Sequence, residues 1–104
     1  MADETKVQKD FFWGASTSAH QVEGNNHNDW SVWEKENAER LSQKSGGVYP
    51  PENYISARAC DHYNRYKEDF DIAKQLVHKA HRFSIEWSRV EPEEGKFNKK
   101  EIDH

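Results

Sequence analysis

Gln21 and Glu23 follow a run of small residues, Gly14-Ala15-Ser16-Thr17-Ser18-Ala19, that itself follows the aromatic triplet Phe11-Phe12-Trp13. An aromatic strand that stops in small residues and then in Gln-Val-Glu-Gly places polar side chains at its C-terminal end. A glutamine amide donates and accepts, so Gln21 could hold two adjacent hydroxyls at once. The same two residues could equally satisfy backbone groups in a turn. A second set lies at 81–87, where Arg82, Ser84 and Glu86 alternate with His81, Phe83, Ile85 and Trp87. The period of two puts the polar three on one strand face. In an open sheet that face is a solvent-facing edge; in a closed barrel it points inward. Six histidines are present. His78 and His81 straddle a helix end and a strand start, His20 and His27 fall in a loop, and no Cys/His ligand set accompanies them, so no metal site is expected. Phosphate-cradling glycine loops and nucleophile elbows are absent.

The elements that position these residues read as one β-α-β unit. Phe11 to Ala15 forms a short buried strand. Residues 24–57 carry turn chemistry, Asn25-Asn26-His27-Asn28-Asp29, Gly46-Gly47 and Pro50-Pro51, around a short helix from Val32 to Leu41 with Ser31 as N-cap and Glu34 three residues on. From Ala59 to His78, Tyr63, Tyr66, Phe70, Ala73 and Val77 recur at helical spacing. A strand covers residues 80–87, Glu94-Gly95 turns, and Lys99-Lys100-Glu101 starts another helix. Such units build parallel sheets.

Composition describes a piece of something larger. Hydrophobic residues are 34% of the 104, roughly 39% with the five glycines counted, against roughly 45–50% in globular domains. Mean hydropathy is -1.21, which leaves little apolar area to offset chain entropy. The 13 aromatic residues nonetheless argue against disorder. The net charge of -4 with scattered basic residues excludes a nucleic-acid stripe. No apolar run approaches a membrane span. The acidic Met1-Ala2-Asp3-Glu4 lacks a signal region, and Cys60 is the sole cysteine; together these lead to the expectation of a cytoplasmic protein, neither disulfide-bonded nor membrane-bound. Residues 1–10 are expected to be flexible.

Phe12 to Gly24 closely resembles the N-terminal signature of glycoside hydrolase family 1, the β-glucosidase family. Cys60-Asp61-His62-Tyr63 with Arg65-Tyr66-Lys67-Glu68-Asp69 resembles the opening of that family's first barrel helix. Arg82 to Val90, followed by Pro92 and Gly95, resembles its second strand and the loop after it. The resemblance implies that residues 11–104 are the N-terminal β-α-β portion of a (β/α)8 TIM barrel, incomplete in this chain, since such barrels take about 250 residues. It implies a retaining glycosidase acting on terminal β-linked sugars without a cofactor. Gln21 matches the glutamine that binds hydroxyls of the sugar being cleaved off. Arg82 matches the arginine beside the nucleophilic carboxylate, whose ionised form it favours. Trp33, Glu23 and Glu86 are packing or accessory residues on this reading; Glu86 stands where many relatives carry a small residue.

The resemblance also implies an absence. The family's acid/base lies in an Asn-Glu-Pro motif and its nucleophile in a Glu-Asn-Gly motif. Neither occurs here: Glu91-Pro92 follows Val90, and Glu52-Asn53 has the wrong flanks. Two expectations follow. The chain supplies Gln21 and Arg82 to a β-glycoside or oligosaccharide substrate while the remainder of the barrel, in the same or a separate chain, supplies both carboxylates. Alternatively, it is a non-enzymatic truncated or split-enzyme piece that serves folding or assembly. Either way the 104 residues alone are expected to be inactive.

Overall fold

Gly14 is the position that lets two strands meet. The computed structural model describes residues 6–104, and in it β1 (Gly14–Ser16) pairs in parallel with β2 (Ala80–Arg82), Gly14 opposite Ala80 and Ser16 opposite Arg82. A Cβ on Gly14 would lie 2.1 Å from the Ala80 carbonyl oxygen, so the approach requires glycine. Backbone bonds from Lys79 N–H to Trp13 O and from Thr17 N–H to Arg82 O extend the ladder by a step at each end. The expected buried strand 11–15 is thereby corrected. It begins only at Gly14, and Phe12 and Trp13 are more than half exposed. An aromatic run has little to bury against when only one neighbouring strand is present among the described residues.

Between the strands run three helices, α1 (Ala19–Val22), α2 (Asp29–Lys44) and α3 (His62–Gln75), with a 3-10 turn at Pro51–Tyr54. After β2 come the short α4 (Trp87–Val90) and α5 (Lys99–Asp103). The helix expected at Val32–Leu41 with Ser31 as its cap is longer and starts earlier. Asn28 is the N-cap of α2; its side chain accepts Ser31 N–H, and Ser31 Oγ accepts Asn28 N–H. Ser31 therefore occupies the third position of a reciprocal capping box. The second strand is likewise shorter than the expected 80–87. His81 does face the helix layer, its ring edge-on to Phe70 at 5.2 Å, and Arg82 alternates to the other face. Beyond Arg82 no next strand holds the ladder, and Trp87 opens α4 instead.

Helix α3 carries Tyr63, Tyr66, Phe70 and Ala73 as expected, but Val77 lies beyond it. Val77 N–H bonds to Lys74 O and His78 N–H to Ala73 O, the pair of bonds of a Schellman motif with Val77 at its left-handed position. Its φ is 61°, a conformation that costs an L-residue roughly 1–2 kcal/mol and a β-branched one at the upper end. Val77→Gly is therefore expected to stabilise the chain by about 1 kcal/mol, after the added freedom of glycine in the unfolded chain is subtracted; chemical denaturation measures it.

The molecule is open. Its radius of gyration is 18.5 Å, where a closed globule of this length has about 13 Å. Among the described residues the buried apolar side chains are Ala19 and Ala38, while Phe83, Ile85 and Phe97 are all at least 60% exposed. An apolar cavity of about 740 Å³ opens between α1, α3, α4, α5 and the segment after β2, walled by Val22, Tyr66, Phe83, Trp87, Phe97 and Ile102. Among the described residues no helix is long and apolar enough to cross a membrane.

Candidate functional site

Both segments singled out in the sequence leave the C-terminal ends of the paired strands. After Ser16 the chain passes through Thr17 and Ser18 into α1, which carries Gln21; Arg82 is the last residue of β2, opposite Ser16. Gln21 and Arg82 are exposed. Neither side chain makes a hydrogen bond to another described residue. Ser84 does not point freely into a site: its Oγ accepts Ala19 N–H at 2.8 Å and ties the start of α1 to the segment after β2.

Glu86, the third residue of the expected polar face, lies past the strand as the residue before α4. Its Oε2 accepts from Asn28 Nδ2 at 2.9 Å and its Oε1 from Ser88 Oγ at 2.7 Å. Glu23 follows α1. Its Oε2 lies 3.3 Å from Arg89 Nε, but that N–H is aimed at Asn26 Oδ1 at 3.0 Å. Glu23 Oε2 is thus buried without a hydrogen bond. Burial pushes the Glu23 carboxyl above its ordinary value; the Arg89 charge opposes this, and the nearby Glu86 charge adds to it. Trp33 sits on α2, 42% exposed and edge-on to Trp30 at 5.6 Å. The structure therefore brings Glu23, Glu86 and their partners together and leaves Trp33 on the outer helix.

A network that the sequence reading missed joins α1, α2 and the segment before α3. Asn28 Oδ1 is committed to Ser31 N–H, so its amide nitrogen faces His20 Nδ1 at 3.1 Å and Glu86. His20 Nδ1 is then an acceptor, and Nε2 carries the proton that it donates to Glu34 Oε1 at 2.8 Å. Ser56 Oγ also donates to Glu34 Oε1, at 2.7 Å, and lies 3.2 Å from His20 Nε2. Serine, histidine and glutamate meet here, but the serine proton goes to the carboxylate and not to the imidazole. The constellation is a latch and not an activated nucleophile. One signal for it was legible: Asn28 stands three residues before Ser31. Among the described residues, no group of three or more His, Cys, Asp or Glu side chains could hold a metal ion.

Burial alone would raise the Glu34 carboxyl, but hydrogen bonds from Ser56 N–H, His20 and Ser56 Oγ outweigh it and hold the group below the ordinary carboxylate value. A depressed folded value means the ionised form binds the latch better. Its stabilisation is present above the unfolded carboxylate value and is lost as pH falls through the folded one. Glu34→Gln is expected to cost about 1–2 kcal/mol at neutral pH and to flatten the acid limb of the stability profile. Denaturation between pH 7 and pH 3 checks this, and parallel profiles for the two proteins would contradict it.

Residues 3–104 match the sequence model of glycosyl hydrolase family 1. The chain is 41% identical over 99 residues to Beta-glucosidase A of Acetivibrio thermocellus, covering 91% of this chain and 20% of that protein. It is 39% identical over 102 residues to 1,4-beta-D-glucan glucohydrolase of Thermotoga neapolitana, covering 94% and 22%. Among solved structures it is similar to a beta-glycosidase from Pyrococcus horikoshii, with a TM-score of 0.69 and 36% identity over 94% of this chain and 20% of that one. It also resembles an aphid myrosinase, with a TM-score of 0.67 and 35% identity over 95% and 21%. The chain thus spans about a fifth of the length of the relatives it matches.

Proposed function

The chain belongs to glycosyl hydrolase family 1, and from that premise we propose that residues 11–104 are the N-terminal part of a (β/α)8 barrel that hydrolyses terminal β-linked sugars with retention. The observation that carries this reading is the pair Gln21 and Arg82. Each leaves the C-terminal end of one of two parallel strands, the end at which (β/α)8 barrels build their sites. Each is exposed and uncommitted among the described residues. Gln21 grips sugar hydroxyls. Arg82 lies beside the nucleophile and favours its charged form.

Retention needs two carboxyl groups about 5–5.5 Å apart, one of them as nucleophile and one as acid and then base. Glu23 and Glu86 are poor candidates, because Glu23 faces Arg89 and both oxygens of Glu86 are engaged. The remainder of the barrel supplies the pair, and the present residues alone are inert. The exposed apolar residues Phe83, Ile85 and Phe97 and the unpaired edge of β2 suit that remainder as partner.

An aryl β-glucoside assay tests this. The 104-residue chain is expected to give no turnover, and turnover is expected once it is joined to the downstream four-fifths of a family enzyme. In the joined enzyme Arg82→Met should lower kcat about 10²–10³-fold, the scale of losing one charge-stabilising donor. Turnover by the purified chain that depends on Arg82 would overturn the inertness. Indifference of the joined enzyme to both Arg82→Met and Gln21→Ala would overturn the roles.

A further inference from the structure

Helix α1 has four residues, of which Ala19 is buried. Its own bonds are Gln21 and Val22 N–H to Ser18 O and Glu23 N–H to Ala19 O. A single turn does not persist unaided, so what holds Gln21 in place comes from outside. At the start of α1, Ser84 Oγ receives Ala19 N–H. At its end, Arg89 Nη2 donates to Gly24 O at 2.7 Å and Arg89 Nε to Asn26 Oδ1 at 3.0 Å. Asn26 Nδ2 passes the hold back to Ala19 O at 3.2 Å. The guanidinium sits 4.1 Å from the centroid of the Tyr63 ring, and Tyr63 N–H donates to Glu23 O.

We propose that Arg89 is a positioning residue whose guanidinium fork sets the place of Gln21 by clasping the turn 23–26 that closes α1. The purpose of the clasp rests on the reading of Gln21 as a sugar-binding residue; the clasp itself does not. Two features argue for a fork and against a simple ion pair. The two hydrogen bonds go to neutral oxygens, a backbone carbonyl and an amide, while the Glu23 carboxylate is near but not aligned. The fork is also fixed from its other side by an aromatic face, which suits a planar guanidinium and not a compact ammonium. The two arginines from the end of β2 onward thus divide: Arg82 is left uncommitted and Arg89 is spent on geometry.

Amide hydrogen exchange on the full 104-residue chain tests this. Arg89→Lys and Arg89→Met are expected to speed exchange at Gln21, Val22 and Glu23 about tenfold, the equivalent of one lost hydrogen bond. The strand amides of Thr17 and Lys79 should stay within about twofold. Asn26→Ala, which removes the acceptor of Arg89 Nε and the bond to Ala19 O, should accelerate the same three amides, and Glu23→Gln should not. Unchanged exchange in Arg89→Met and Asn26→Ala, or equal acceleration of strand and turn amides, would overturn the proposal. Titration of the chain joined to the downstream four-fifths of a family enzyme with methyl β-D-glucopyranoside, read at the Gln21 side-chain amide, separates the two readings. No shift there would remove the sugar role and leave the exchange result to decide the clasp.

Discussion

Gly14→Ala is expected to part the two strands and to cost about 3 kcal/mol or more. The added Cβ would sit 2.1 Å from Ala80 O and 2.8 Å from Ala80 C. Both are backbone atoms of the partner strand, so no side-chain rotation relieves the clash; β2 itself must retreat. That retreat breaks the ladder from Lys79–Trp13 to Thr17–Arg82, and overpacking that moves backbone costs typically 1–3 kcal/mol before lost hydrogen bonds are added. Gly46→Ala is the control. Gly46 has a φ of 71°, but nothing lies within 4 Å of its added Cβ, so it should cost only the conformational strain of about 1 kcal/mol. Denaturation of the two variants, with exchange at Thr17 and Lys79, separates them. Equal losses in both would mean that the strands do not approach as closely as Gly14 implies.

The sequence disclosed most where a pattern is local. The Tyr63, Tyr66, Phe70, Ala73 stripe, the turn at Gly95 and the parallel β-α-β order follow from spacing, because helical and strand periods are properties of a few residues in a row. Strand length is not. Phe11-Phe12-Trp13 and Phe83-Ser84-Ile85 have strand composition, but a ladder needs a partner on its edge, and β2 has one neighbour here. Asn-Asn-His-Asn-Asp has turn composition and so masks the start of helix α2; its last asparagine is in fact the cap, and Asp29 already lies in the first turn. Val77 at a left-handed position is legible only from backbone angles. The site divides in the same way. Gln21 and Arg82 were visible as residues, but Arg89, Asn26, His20 and Ser56 act on positions far along the chain, and no spacing announces such contacts.

The second large effect falls on Gly24. Its φ is +89°, and a Cβ there would lie 2.1 Å from Arg58 O, so Gly24→Ala meets strain and a backbone clash together. The turn has little room to yield. Asn25 N–H bonds to Ala57 O at 2.6 Å, Tyr63 N–H bonds to Glu23 O, and Arg89 holds Gly24 O. The opposing segment is itself unusual, with Ala57, Ala59 and Asp61 all at positive φ, which stores strain that the contact with Gly24 offsets. Gly24→Ala is therefore expected to cost about 3–4 kcal/mol and to release both the Gln21 turn and the residues leading into α3. If Arg89 acts by clasping that turn, then Gly24→Ala already removes most of what Arg89→Met removes. The double variant should lose less than the sum of the singles by about 1 kcal/mol or more, because both changes act on one turn. Strict additivity in denaturation would place the work of Arg89 somewhere other than Gly24 and the turn that carries Gln21.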